Sequence, residues 1–163
     1  MNDPGSVAVA IDGDDDAQLV TADVQEGPVP YVEELSREQC IELLVGAEVG
    51  RVVFTVEALP AVIPVNYAVT DGAVVFRTAA RSRLARAADR GVLAMEADQI
   101  DVATRSGWSV VVTGTAEIAG DPEEIREVAR LVQPWIPGPA EVAIRLPLTV
   151  LTGRRITGAA GSA

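Results

Sequence analysis

Residues 49–78 read VGRVVFTVEALPAVIPVNYAVTDGAVVFRT. Three short runs dominate this stretch: Val49–Val56 (VGRVVFTV), Ala61–Val69 (AVIPVNYAV) and Ala73–Thr78 (AVVFRT). Each is rich in β-branched residues, which suit a pleated surface, and each is bounded by turn residues. The spacing therefore predicts three consecutive strands. Thr70-Asp71-Gly72 predicts a tight hairpin turn, because Asp and Gly tolerate positive φ. Pro64 has no N–H to give to a ladder, so it predicts an edge position or a bulge inside the second run.

Working outward, Leu35-Ser36-Arg37-Glu38-Gln39 predicts a helix start. Ser36 can cap, Gln39 can answer it in a capping box, and Leu35 can staple against Cys40. Ile41, Leu44 and Val45 then share one face, and Gly46 or Gly50 ends the element. Downstream, a short helix is expected over Arg81–Arg90, closed by Gly91, with strands over Val92–Ala97 and Trp108–Ile118. Asp121 predicts a further cap, with Pro122 in the first turn and Glu124 answering. Pro134–Pro139 (PWIPGP) excludes regular structure, and two last strands, Glu141–Leu146 and Thr149–Ile156, flank Pro147. About seven strands and three short helices that do not alternate regularly disfavour a doubly wound parallel sheet. The fold class expected is mainly β with short helices (α+β), an antiparallel barrel whose closure removes exposed edges.

Composition narrows the chemistry. The 163 residues predict one domain, and 48% hydrophobic content supplies a core. There is no histidine and no lysine; all 13 basic residues are arginine. That excludes Ser-His-Asp and Cys-His nucleophile pairs, HExxH zinc sites, Schiff bases and the Walker A loop. Cys40 is the only cysteine, so neither an internal disulfide nor a cysteine-built metal site is expected. Cys40 itself reads as a small buried hydrophobe. A net charge of −11 lacks the footprint of a nucleic-acid binder. Residues 1–30 hold seven acids and no base, and predict a disordered acidic arm ahead of a domain over 31–157, with a flexible tail over 158–163. The arm has neither the basic nor the apolar segment of a secretory signal, and no 18 apolar residues run together. A cytoplasmic protein without membrane contact is the expectation.

One segment carries a chemical signal. Residues 77–90 hold five arginines, Arg77, Arg81, Arg83, Arg86 and Arg90, against Asp89 alone. On a helix Arg83, Arg86 and Arg90 fall on one face and Leu84, Ala87 and Ala88 on another. Ser82 can cap that helix, while Arg77 and Thr78 arrive from the end of the preceding strand. Guanidinium groups, a hydroxyl and a helix start gathered in one place suit a phosphate. A solvated arginine face paired to the many acids is the other reading of the same charges.

These residues together make the chain resemble the pyridoxamine 5'-phosphate oxidase-like family of FMN-binding split β-barrels, in its small actinobacterial-type branch. The matching stretches are Glu48–Phe54, Ile63–Tyr67, Val75–Thr78, Arg81–Leu84, Ser106–Val110 and Thr152–Ile156, in order, within residues 31–157. The resemblance implies a split barrel of six to seven antiparallel strands and a homodimer with FMN at the subunit interface. It implies that Ile63, Pro64, Val65 and Asn66 face the flavin ring. Arg77, Thr78, Ser82 and Arg83 would hold the phosphate, and Trp108 and Ser109 would come from the other subunit. The branch usually has lysine where this chain has Arg83, which keeps the charge and adds a fork. The oxidases proper carry a histidine near the C-terminus; its absence speaks against pyridoxamine phosphate as substrate. The implied activity is an FMN-dependent oxidoreductase acting on a small molecule. Two alternatives stay open: an 8-hydroxy-5-deazaflavin coenzyme in the same fold, or a non-catalytic flavin- or ligand-binding protein.

Overall fold

The computed structural model describes residues 31–133, 135 and 140–158. The acidic arm expected over 1–30, most of the Pro134–Pro139 segment and all but the first residue of the expected tail lie outside them. Among the described residues nine strands and three helices follow in order. They are β1 (Tyr31–Glu34), α1 (Arg37–Gly46), β2 (Val49–Val56), β3 (Leu59–Thr70), β4 (Ala73–Thr78) and α2 (Arg83–Ala88). β5 (Val92–Asp101), β6 (Ser106–Thr115), β7 (Glu117–Ile118), α3 (Pro122–Leu131), β8 (Val142–Pro147) and β9 (Val150–Thr157) come after them.

All strand pairs are antiparallel, in the order β1-β9-β6-β5-β2-β3-β4-β8-β7. The fold class is the expected one, a mainly antiparallel α+β barrel, but nine strands replace the six or seven anticipated. The long strand β3 is the reason the barrel is split. Its first half, Leu59–Asn66, pairs with β2, and its second half, Tyr67–Thr70, pairs with β4. Pro64 stands opposite Arg51 in the half that has β2 on one side only, so its missing N–H falls on an unpaired edge. The two-residue turn between β3 and β4 has positive φ at Asp71 (46°) and Gly72 (70°), the expected hairpin.

The barrel interior is apolar. Val52, Phe76, Leu93, Met95, Val110, Val112, Ile144 and Leu146 are fully buried in one cluster, which Leu84 and Ala88 of α2 and Cys40 and Leu44 of α1 also join. The α1 capping box forms as expected, with Ser36 Oγ accepting from Gln39 N and Gln39 Oε1 accepting from Ser36 N. Val45 departs from expectation. It is exposed, because the buried stripe centres on Cys40 and Leu44, one turn apart, and Val45 lies a further 100° round. A second cluster, Val75, Ala119, Val128, Val132 and Ala143, seats α3 on the outer face of β4 and β8. There Asp121 caps as expected, but Glu124 pairs with Arg145 Nε at 3.4 Å. No helix among the described residues is long and apolar enough to cross a membrane.

Candidate functional site

The site builds from the point where β3 and β4 part. Their ladder ends at Tyr67↔Phe76; had it continued, Asn66 would face Arg77 and Val65 would face Thr78. Instead Arg77 and Thr78 stay paired with Ala143 and Val142 of β8, so the two strands part beside the unpaired edge of β3. Side-chain alternation places Arg77 and Asn66 on the same face, the one that carries Ala68 and Val75.

Arg77 is half-buried, and its Nε is the one buried side-chain polar atom among the described residues that has no hydrogen-bond partner. A buried donor without an acceptor costs about 1–3 kcal/mol, more when charged, so this atom is a candidate donor to an oxygen not present among the described residues. Thr78 alternates to the other face, where its hydroxyl donates to Ser82 Oγ at 3.0 Å. Ser82 Oγ accepts in turn from Ala85 N at 2.9 Å, the expected cap of α2. Arg83 is exposed at the first position of that helix, with no ion pair or hydrogen bond among the described residues.

The expected helix over Arg81–Arg90 is shorter, Arg83–Ala88. Arg90 takes a left-handed φ of 56° and so leaves the face it was expected to share with Arg83 and Arg86. Gly91 follows because a Cβ there would run into the Ala87 carbonyl. Arg86 Nη1 is engaged by Arg81 O at 3.1 Å, and Ala80 N donates to Glu141 Oε2 at 3.1 Å. The arginine cluster thus contributes side chains rather than a long helix dipole.

The four residues of the second strand divide by the pleat. Ile63 and Val65 pack against the barrel core, while Pro64 is exposed and Asn66 half-buried on the opposite face. Asn66 Oδ1 accepts from Trp135 N at 3.1 Å. What the unpaired edge presents of Ile63 and Val65 is therefore their backbone. Trp108 and Ser109 are elsewhere in the chain, on β6 opposite Gln99 and Asp98 of β5 and Arg155 and Arg154 of β9. They line a cavity of about 260 Å³ with Val32, Gly107, Ile100, Arg154 and Ile156. Within one chain this cavity lies three strand pairings, β6–β5, β5–β2 and β2–β3, away from the edge of β3.

The sequence left Arg154 undecided between reaching a cofactor and closing the barrel, and it missed the length of β5, which runs four residues past Ala97. A signal for the latter was present. Asp101 Oδ1 accepts from Ala103 N and Thr104 N at 2.9 and 3.2 Å, a local turn that returns the chain into β6. Two further groups have altered acidity. Burial pushes the Tyr67 phenol up to about 12, and its hydroxyl donates to Leu44 O at 2.8 Å. Burial first, then the neighbouring Asp98, raises Glu96, opposed by Arg51, whose Nη1 reaches Glu96 at 3.1 Å and Asp98 at 2.6 Å. The described residues hold no group of three or more potential metal ligands.

Comparison with known proteins gives a consistent set of relatives. The family described as pyridoxamine 5'-phosphate oxidase matches residues 36–155. The uncharacterized protein Rv0080 of Mycobacterium tuberculosis is 43% identical over 130 residues, 77% of this chain and 86% of its own. Among solved structures, the FAD binding protein from Mycobacterium smegmatis is 34% identical with a TM-score of 0.65, covering 76% of this chain and 98% of that one. A Corynebacterium glutamicum protein named for the same oxidase is 32% identical with a TM-score of 0.65, covering 80% of this chain and 96% of its own.

Proposed function

The chain belongs to the pyridoxamine 5'-phosphate oxidase family, and from that premise we propose that it is a flavin-dependent oxidoreductase acting on a small molecule, with FMN as cofactor. The observation that carries the reading is the buried, unpartnered Nε of Arg77, a preformed donor for a phosphate oxygen. Thr78, Ser82 and Arg83 complete the phosphate group, the first two already linked and the third free to turn toward an anion. The edge of β3 over residues 59–66 offers backbone C=O groups, and N–H groups except at Pro60 and Pro64, that no described strand satisfies. A flavin ring lying along Ile63, Pro64, Val65 and Asn66 would use those groups, with Asn66 as the one side-chain amide. The exposed Leu59 and Val62 on that strand favour a homodimer, in which Trp108 and Ser109 of a second copy close the site. The cytoplasm is the compartment this reading assumes.

A bound flavin supplies the hydride chemistry itself. The chain then has to bind the phosphate, align the ring and exclude water, tasks within reach of a protein with no histidine and no lysine. FAD in place of FMN is a second reading, favoured by the M. smegmatis relative, which is named as an FAD binding protein. Titrating the purified full chain with FMN, FAD and a deazaflavin coenzyme, read by tryptophan fluorescence and visible absorbance, tests the proposal. A yellow protein with FMN bound at micromolar concentration is expected. A protein that stays colourless with every flavin, or binds only the deazaflavin, overturns it.

A further inference from the structure

The cavity beside Trp108 has an amphipathic order that goes beyond the flavin contact proposed for Trp108 and Ser109. Two adjacent rows of residues cross four strands of the outer barrel face in antiparallel register. Ile100, Gly107, Ile156 and Val32 form one row, and Asp98, Ser109, Arg154 and Glu34 form the next. The first row is apolar, and its three aliphatic side chains are exposed, at 57%, 43% and 62% for Ile100, Ile156 and Val32. Gly107 makes the recess between them. A Cβ there would sit 2.5 Å from Gln99 O and 2.9 Å from Ile100 Cδ1, so no larger residue fits without displacing its neighbours. In the second row Asp98 is committed to Arg51 at 2.6 Å. Arg154 makes no ion pair among the described residues, although Glu34 stands directly across from it. Ser109 adds a hydroxyl beside it.

We infer that this cavity receives the substrate, and that the substrate is a small molecule with an apolar body and a carboxylate, the body on the Ile100–Ile156–Val32 row and the carboxylate on Arg154 and Ser109. The inference rests on the flavin reading above, which makes the cavity a neighbour of the partner copy's cofactor. At about 260 Å³ the cavity lies below the ~300–1,000 Å³ usual for ligand sites, which limits the body to one ring or a short chain. Adjacent same-face rows lie two residues apart along a strand, roughly 6.5–7 Å, so ring and carboxylate are separated by a short spacer. The guanidinium fork matches a carboxylate edge-on, and the apolar row excludes a second charge from the body.

Calorimetric titration of the full chain, as purified and after FMN loading, with 3-phenylpropionate and its neutral amide tests this. The acid is expected to bind about tenfold or more tighter than the amide. Arg154→Gln removes that difference and leaves flavin content unchanged, whereas Glu34→Gln tightens the acid alone. Equal binding of acid and amide, or acid binding unaffected by Arg154→Gln, overturns the inference. Visible absorbance of the same samples reports separately on the flavin. Arg154-dependent acid binding to a chain that takes up no flavin leaves the pocket standing without the flavin reading, and flavin uptake with Arg154-independent binding does the reverse.

Discussion

The Thr78 hydroxyl donates to Ser82 Oγ across 3.0 Å, so the last residue of β4 and the cap of α2 form one unit. A single side chain thereby serves the fold and the proposed phosphate site. Ser82→Ala removes the acceptor of both Thr78 Oγ1 and Ala85 N. It is expected to cost about 1 kcal/mol in denaturant unfolding, the usual worth of a cap, and to weaken FMN binding. Ser82→Thr should retain most of both.

The β2–β3 turn is strained by its residues. Glu57 and Ala58 both have positive φ, 50° and 65°, where neither side chain gains what glycine would. Left-handed backbone costs a side-chain-bearing residue about 1–2 kcal/mol, and glycine returns part of that as chain entropy. Ala58→Gly is expected to stabilise the fold by about 0.5–1 kcal/mol, roughly 1–4 °C in Tm by calorimetry.

Tyr67 gives the fold a pH limit. Its phenol, buried and donating to Leu44 O, titrates near 12 in the folded chain and near 10 when unfolded. Its folded value is the higher one, so the stability it contributes is complete below about pH 10 and is lost as pH rises toward 12, where the unfolded chain releases the proton first. Tyr67→Phe should cost about 1 kcal/mol at neutral pH, and the gap to wild type should narrow above about pH 10 in urea titrations.

Gly153 lies where α1 meets β9. A Cβ at Gly153 would stand 2.5 Å from Cys40 Sγ and 3.0 Å from Leu35 Cδ1. Gly153→Ala is expected to cost about 1–3 kcal/mol through overpacking. Cys40→Ala should relieve part of it, so the double variant is more stable than the sum of the two single losses.

Much of this fold could be read from local signals, and the losses occurred where pairing overrides them. β2 and β4 occupy the residues their β-branched runs mark, and the Asp71-Gly72 turn and the Ser36–Gln39 capping box are local devices that need no tertiary partner. β1 was not expected. Its four residues are a strand because β9 offers Arg154–Thr157 as partners, a long-range fact no local pattern contains. The extension of β5 through Asp98-Gln99-Ile100-Asp101 has weak strand propensity and depends on the facing Ser106–Ser109. Conversely, Trp108–Ile118 divides into β6 and β7, because the chain leaves β5 and crosses to β8.

The candidate site was legible as composition but not as geometry. Five arginines in one segment point to a candidate anion site, yet only the pleat decides that Arg77 and Thr78 diverge and that Ile63 and Val65 turn inward. Arg154 was indistinct because nothing in the order of residues places it beside Ile100 and Val32, two strands away on one side and one on the other.

The most direct test of the account is the affinity of Arg77→Gln for FMN and for riboflavin, measured beside wild type and Arg83→Ala. If Arg77 holds the phosphate, FMN binding should fall by roughly tenfold to a hundredfold while riboflavin binding stays near wild type, with a smaller loss of the same kind for Arg83→Ala. Equal losses for both ligands, or no loss for FMN, would contradict it.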